Sequence, residues 1–273
     1  MTMNKISKLF KGLSILIKRP YLINNVINSI DIYKQNVTKN YSMPYGLPQI
    51  DLKKLFTDFK EEVEPFAFLD GGSLSIDIAL LKALAKKYNV KDYLEIGTWR
   101  GESVANIANV VENCYTINLP DEDMLKVKMS NDYIGSHRFF SASLKNVKHI
   151  HAHSHVFDFE SLKTKFDMVF VDGDHHYESV KKDTQTAFSI IKSDESIIVW
   201  HDYAVSPETI RWDVMNGILD GCPLEKRNHI FHISNTLCAV YIKDKFVVEN
   251  LKQYALPNKK FKVTVEMKEV GSD

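Results

Sequence analysis

Tyr93-Leu94-Glu95-Ile96-Gly97-Thr98-Trp99-Arg100-Gly101-Glu102-Ser103 decides the fold. It is an apolar run broken by one acid, then two glycines four positions apart, then the opening of a helical pattern, which reads as strand, turn and helix. Gly97 lets the chain turn sharply and lets a ligand come close to the backbone, and Gly101 permits close packing of the helix that follows. Free backbone N–H groups at such a helix start face whatever binds there.

Outward from this segment, apolar runs alternate with helical patterns. The spacing predicts strands at Tyr93–Ile96, Cys114–Asn118, Val147–His151, Met168–Val171 and Ile197–Trp200, with helices at about Ser103–Val111, Tyr177–Ile191 and Pro207–Leu219. Met168–Val171 and Ile197–Trp200 are apolar throughout, as strands covered on both faces must be, so the sheet is mostly parallel. For the last helix, Ser206 is expected as N-cap, Pro207 at the first position and Gly221 just past the end. His229–Ser234 and Leu237–Tyr241 flank Asn235-Thr236 and read as an antiparallel hairpin. The fold class is therefore α/β: a doubly wound, Rossmann-like, mostly parallel sheet with a C-terminal antiparallel hairpin and a helical N-terminal extension. Residues 1–69 are expected to form that extension, 70–245 the ligand-binding domain and 246–273 a tail.

The extension has its own chemistry. Residues 1–40 carry seven cations, Lys5, Lys8, Lys11, Lys18, Arg19, Lys34 and Lys39, against Asp31 alone. Ile6, Leu9, Phe10, Leu13, Leu16 and Ile17 recur at helical spacing with the lysines largely off that stripe, so a basic amphipathic helix is expected. Such a helix either lies on an anionic membrane surface or packs on the domain or a second subunit, and the length of the extension allows a homodimer. Tyr41 to Gln49 supplies the Pro, Gly and Ser of a linker, Asp51–Phe59 reads as a short helix, and Asp70-Gly71-Gly72 is a second break. After it, Leu74, Ile78, Leu81, Ala85 and Tyr88 share one helical face.

Over the whole chain Lys+Arg and Asp+Glu both number 35, so no basic field points to nucleic acid. Three widely spaced cysteines, Cys114, Cys222 and Cys238, offer no CxxC pair, which fits a reducing compartment. There is no long apolar run for a membrane span, and Leu13–Ile17 is too short for a signal-peptide core. The expected location is cytoplasmic, at most peripheral on the inner face of a membrane.

Two further segments carry chemistry: Phe166-Asp167-Met168-Val169-Phe170-Val171-Asp172-Gly173-Asp174-His175-His176-Tyr177 and Ile197-Ile198-Val199-Trp200-His201-Asp202-Tyr203. Both set acids and histidines at the carboxyl end of a parallel strand, where open α/β sheets bind ligands. With the Glu95–Gly101 segment in front of them, these motifs resemble class I S-adenosylmethionine-dependent methyltransferases. Within that class they are similar to the small-molecule and sugar O-methyltransferases with DGDHxY and HDY motifs. The similarity runs from about Asp70 to Tyr241.

The resemblance implies S-adenosylmethionine as cofactor, bordered by Glu95, Gly97, Thr98, Trp99, Arg100, Gly101, Ser103, Asn118, Leu119, Ser154, His155, Asp172 and Gly173, and a small-molecule or glycan hydroxyl as acceptor. It implies Asp172 and His175 as catalytic residues, His175 taking the hydroxyl proton with His176 in reserve. Imidazole suits that task because its ordinary pKa leaves it neutral near pH 7. It also implies Mg2+ or Mn2+ held by Asp172, His201 and Asp202. The carboxylates suit a hard cation, whereas His201 departs from the usual acid or amide and favours Mn2+, iron or zinc. A second departure is Asn118 where an acid usually meets the ribose hydroxyls. An amide can still bond a hydroxyl, and Asp121 or Glu122 lies near in sequence.

His149, His151, His153 and His155 would share one side of a persisting strand. With no cysteine or acid interleaved, they read instead as a strand running into a loop, and no metal is expected there. Two other readings share the fold. A nicotinamide oxidoreductase would need the GxGxxG spacing that this chain lacks. A non-catalytic binding module would be consistent with Asn118 and His201.

Overall fold

A computed structural model describes residues 4–23 and 30–270. Parts of the expected N-terminal extension and tail, residues 1–3, 24–29 and 271–273, lie outside the described residues. The helices in chain order are α1 (Lys5–Lys18), α2 (Ile30–Tyr41), α3 (Leu52–Leu55), α4 (Ser75–Lys87), α5 (Glu102–Ala108), α6 (Asp121–Lys126), α7 (Asn131–Ser136), α8 (Tyr177–Ile190) and α9 (Trp212–Gly221). The strands are β1 (Gln49–Ile50), β2 (Asp92–Ile96), β3 (Asn113–Asn118), β4 (Val147–His151), β5 (Met168–Val171), β6 (Ile197–Trp200), β7 (Ala204–Ser206), β8 (Thr209–Ile210), β9 (Ile230–Ile233), β10 (Ala239–Tyr241) and β11 (Val248–Glu249).

Nine strands form one sheet in the order β11-β1-β9-β10-β6-β5-β2-β3-β4. Strands β2 to β6 are mutually parallel, and β10 pairs antiparallel with both β6 and β9. The expected doubly wound α/β sheet with its C-terminal hairpin is present. The order reverses between β2 and β5, and the crevice beyond their carboxyl ends is where such sheets take ligands.

Both faces are covered, which is why β5 and β6 are apolar at every position. Leu94, Ile96, Val169, Val171, Ile198 and Trp200 pack on one side with Val180, Ile218 and Leu219 of α8 and α9 and with Val37 of α2. Tyr93, Met168, Phe170, Ile197 and Val199 pack on the other with Leu80, Leu81 and Leu84 of α4 and Val104 and Ile107 of α5.

Several local expectations are corrected. The helix expected at Pro207–Leu219 begins only at Trp212, with Arg211 at its N-cap, and Gly221 is its last residue. Ser206 instead ends β7 and Pro207-Glu208 turn the small β7–β8 hairpin, because buried Ile210 joins the core and Arg211 N–H donates to the Tyr203 carbonyl. The short helix stops at Leu55, capped by the Asp51 carboxylate. The segment read as a linker ends in structure: Leu47 and Ile50 are buried, and Gln49–Ile50 pairs parallel with β9 and antiparallel with β11. Strands therefore enter the sheet from both residues 1–69 and residues 246–273.

Helices α8 and α9 touch closely through a glycine. A Cβ on Gly217 would lie 2.8 Å from the Tyr177 carbonyl oxygen and 3.0 Å from Val180 Cβ. Gly217→Val should therefore destabilise the chain by about 1–3 kcal/mol in urea unfolding. Gly135, in α7 with nothing within 4 Å of a new Cβ, should accept alanine with a gain of up to about 1 kcal/mol.

Candidate active site

Parallel register assembles the site. Ile117, Ile96, Val171 and Trp200 are paired neighbours across β3, β2, β5 and β6. The residue after each, Asn118, Gly97, Asp172 and His201, therefore falls on the next row. Gly97 N–H donates to the Ile117 carbonyl at 2.9 Å, Asp172 N–H to Ile96 at 2.8 Å and His201 N–H to Val171 at 3.0 Å. Three motifs far apart in sequence become one line of side chains. Alternation along the strands turns Glu95, Asp172 and His201 toward the α4 face.

Gly97 is required at the tightest point of that line. Its φ is +98°, and a Cβ there would stand 2.2 Å from the Asp172 carbonyl oxygen. Gly101, at φ +81°, begins α5 and leaves no room for a side chain against Ser141 Oγ, 2.3 Å from where its Cβ would be. Between them Thr98 is buried, with its hydroxyl on that of Thr116. Trp99 lies on Tyr133 with ring centroids 4.3 Å apart, and the Arg100 guanidinium sits 4.9 Å from the Trp99 ring centre. Both residues also donate to the Asp70 carbonyl, Trp99 Nε1 at 3.4 Å and Arg100 Nη1 at 2.8 Å. The Asp70–Gly72 break is thus tied onto the glycine turn.

Beneath the turn, Glu95 is 1% exposed and accepts from the Tyr93 hydroxyl at 2.9 Å, while its Oε1 has no partner. Burial, reinforced by the Asp172 charge, pushes its carboxyl up to about 8, against hydrogen bonds from Tyr93 and Ser103. At the end of β3 the Asn118 Oδ1 accepts the Thr98 N–H at 3.5 Å, and its buried Nδ2 has no partner. That amide is a donor waiting for an acceptor. Leu119 beside it is half-buried, and the Asp121 carboxylate pairs with Arg138.

The strand β4 ends at His151, so the four histidines do not share a face. His149 Nε2 lies 3.1 Å from the Ser141 carbonyl and His151 Nδ1 3.0 Å from Arg138 Nη1. In the loop beyond, Ser154 donates to Asp183 at 2.9 Å and His155 Nε2 lies 3.5 Å from the same carboxylate. Asp183 is 2% exposed, and burial raises it to about 6. Gly173 passes 3.6 Å from it, measured from an added Cβ.

His201 is the centre of the charged cluster. Its Nε2 stands 3.3 Å from Asp77 Oδ2, and its Nδ1 stands 3.0 Å from Asp172 Oδ1 and 3.5 Å from Asp202 Oδ2. Burial alone would lower this imidazole's pKa, but the carboxylates of Asp172, Asp202 and Asp77 outweigh it and hold it well above the ordinary histidine value. Burial would likewise raise Asp202, yet His201, Arg211 and His175 keep it below the usual carboxyl range. Arg211 Nη2 approaches Asp202 at 3.4 Å and His175 Nδ1 at 3.8 Å. His175 itself is exposed and stacks on His176, with ring centroids 5.5 Å apart, while His176 is turned toward Asp174. Ser73 reaches Asp172 Oδ2 at 3.3 Å.

The ligand atoms of Asp172, His201 and Asp202 lie within 4.8 Å of one another, the one such group among the described residues. This donor set fits a divalent cation. The 3.0 Å approach of Nδ1 to Asp172 is not aligned as a hydrogen bond, which leaves Nδ1 buried and unpartnered between two carboxylates. Asp77 meanwhile accepts from the other ring nitrogen, the arrangement that fixes a metal-binding tautomer.

Sequence reading missed Asp77, Ser73 and Asp183. The only signal at Asp77 was an acid three residues after the Leu74 N-cap of α4, a capping position, and it does accept the Leu74 N–H at 3.0 Å. Its further bonds to the Leu237 N–H, at 2.9 Å, and to His201 come from segments more than a hundred residues away.

Gly97→Ala should cost about 1–3 kcal/mol, read as a lowered Tm, because an L-residue at φ +98° is strained and its Cβ meets backbone. Glu95 makes a pH prediction. Its folded value of about 8 lies above the ordinary 4.5, so the native chain keeps this proton over a range where the unfolded chain has lost it. The resulting stability is fully present below about pH 4.5 and is lost as pH rises through about 8. Relative to Glu95→Gln, wild type should lose up to about 1.4 kcal/mol per pH unit in that window, measured by urea unfolding.

An uncharacterized protein of Acanthamoeba polyphaga mimivirus is 26% identical over 149 residues, covering 51% of this chain and 66% of that protein, so the chain spans just under two thirds of its relative's length. Among solved structures, the chain is similar to the Podospora anserina methyltransferase PaMTH1 bound to SAH, at 18% identity and TM-score 0.45, covering 66% of this chain and 83% of that one. It is also similar to a Bacillus cereus O-methyltransferase in complex with SAH, at 14% identity and TM-score 0.42, covering 82% and 96%. A third, TomG of Streptomyces achromogenes, involved in tomaymycin synthesis and solved with SAM, gives 15% identity and TM-score 0.43 over 64% and 83%. Residues 94–203, which hold β3 to β6, most of β2 and every motif at their carboxyl ends, match the family model described as a methyltransferase domain.

Proposed function

We propose that this chain is an S-adenosylmethionine-dependent methyltransferase acting on a hydroxyl of a small molecule or sugar, with His175 as base and a divalent metal at Asp172, His201 and Asp202. One observation carries the reading: two recesses meet at Asp172. The first is lined by Gly71–Ser73, Trp99–Ser103 and Asp172. The second is lined by Asp172–His175, His201 and Asp202. A donor in the first and an acceptor in the second would meet over one carboxylate.

On this reading Gly97 and Gly101 let the cofactor's methionine end approach the backbone above Glu95, whose unpartnered Oε1 offers an acceptor to its ammonium group. The free Nδ2 of Asn118 donates to a ribose oxygen, and Leu119, Ser154 and His155 border the adenosine. When bound, the cofactor supplies a methyl group on a sulfonium, whose C–S bond breaks as the acceptor C–O bond forms. His175 lines the second recess with its Nδ1 3.8 Å from Asp202, which leaves Nε2 as the nitrogen to take the hydroxyl proton. Asp172, His201 and Asp202 would hold a divalent ion, which would supply Lewis acidity toward the acceptor's oxygens. Mn2+ suits the mixed imidazole and carboxylate donors better than Mg2+.

Calorimetric titration with S-adenosylhomocysteine, with Mn2+ or Mg2+ present, tests the cofactor site, and a micromolar Kd is expected. His175→Ala should leave that Kd within about twofold and lower methyl transfer by about 10²–10⁴. Binding of NAD in place of S-adenosylhomocysteine would assign the site to an oxidoreductase. Binding with no phenotype for either His175→Ala or Asp172→Asn would assign a non-catalytic module.

A further inference from the structure

Helix α1 is a completed helix without a core. The Asn4 side chain accepts the Ser7 N–H at 2.8 Å to cap its start, and the Arg19 N–H closes on the Ile15 carbonyl at 2.8 Å. Yet none of its residues is buried. At 100° per residue Leu16, Leu9, Leu13, Ile6, Ile17 and Phe10 fall in one arc of about 120°. Five of these six are exposed, Ile6 and Phe10 to 66% and Ile17 to 80%. A helix of 14 residues is marginal in water by itself, so this stripe needs a surface to lie on.

The charge on the helix says which surface. Lys5, Lys8, Lys11 and Lys18 lie outside the apolar arc, Arg19 follows, and there is no acid between residues 4 and 19. Pairing two copies through the stripe would bring like-charged lysine flanks together, whereas a bilayer containing anionic lipid neutralises them. The helix is also too short to cross a membrane, as is every helix among the described residues. We infer that α1 is an interfacial anchor that lies in the plane of an anionic lipid bilayer, its Ile6–Ile17 stripe among the acyl chains and its lysines among the headgroups. This anchor stands independently of the chemistry at Asp172.

The test is co-sedimentation of the full-length chain with vesicles of phosphatidylcholine alone and of phosphatidylcholine mixed with phosphatidylglycerol. Binding to the mixed vesicles is expected, weak on the neutral ones and reduced by salt. Each of Lys8→Gln and Lys11→Gln should weaken it about fivefold, the factor equivalent to ~1 kcal/mol per cation. Leu9→Asp with Phe10→Asp and Leu13→Asp should abolish it while leaving the Tm unchanged, since these side chains are not buried. No binding to mixed vesicles, or binding that survives the triple substitution, would overturn the inference. So would a concentration-dependent dimer in vesicle-free buffer that the same triple substitution dissociates.

Discussion

The pairing of β2 with β5 at the register Ile96↔Val171 is the constraint on which the rest of the molecule depends. Parallel strands in register end together, and a shift of one residue would turn every side chain to the opposite face. Here the shift would move Glu95, Asp172 and His201 from the α4 side to the α8 side. The register is held by apolar residues on both faces, Leu94 and Val169 against α8 and α9, Tyr93 and Phe170 against α4 and α5. Gly97 then completes the arrangement, since no other residue could pass so close to the Asp172 backbone.

What the register assembles is a concentration of buried and half-buried acids. Asp77, Glu95, Asp172, Asp202 and Asp183 crowd one end of the sheet, and each desolvated carboxylate is expensive unless paired or protonated. The fold answers differently at each. Asp77, Asp172 and Asp202 surround the His201 imidazole, and Arg211 adds a second cation at Asp202. Glu95 and Asp183 are pushed toward their neutral forms. Unpaired atoms remain at Glu95 Oε1, Asn118 Nδ2 and His201 Nδ1, all along the row where a cofactor, an acceptor or a metal would add partners. A protein tolerates such atoms where binding uses them.

The periphery follows another logic. Helix α2 joins the core through Val37 and is tied to α9, Asn36 by Asn216 and Tyr41 by Asp220, so part of the N-terminal segment belongs to the domain. Helix α1 buries nothing.

The sequence alone determined the parallel core, the glycine turn and the three strand-end motifs, because continuous apolar runs, glycine spacing and residue type are local properties. It placed Val147–His151, Met168–Val171 and Ile197–Trp200 at their observed bounds. It misread Ser206-Pro207 as a helix start, since a Ser-Pro pair serves a hairpin turn equally well and only burial of Ile210 decides between them. It treated Tyr41–Gln49 as a linker because pairing of Gln49–Ile50 with β9 joins segments some 180 residues apart. Only the tertiary structure brought Asp77 beneath His201, Asp183 beneath Ser154 and the Asp70–Gly72 break onto Trp99 and Arg100. The physical reason is common to all of these: hydrogen bonds and burial between distant segments leave no period or spacing in the chain to be read.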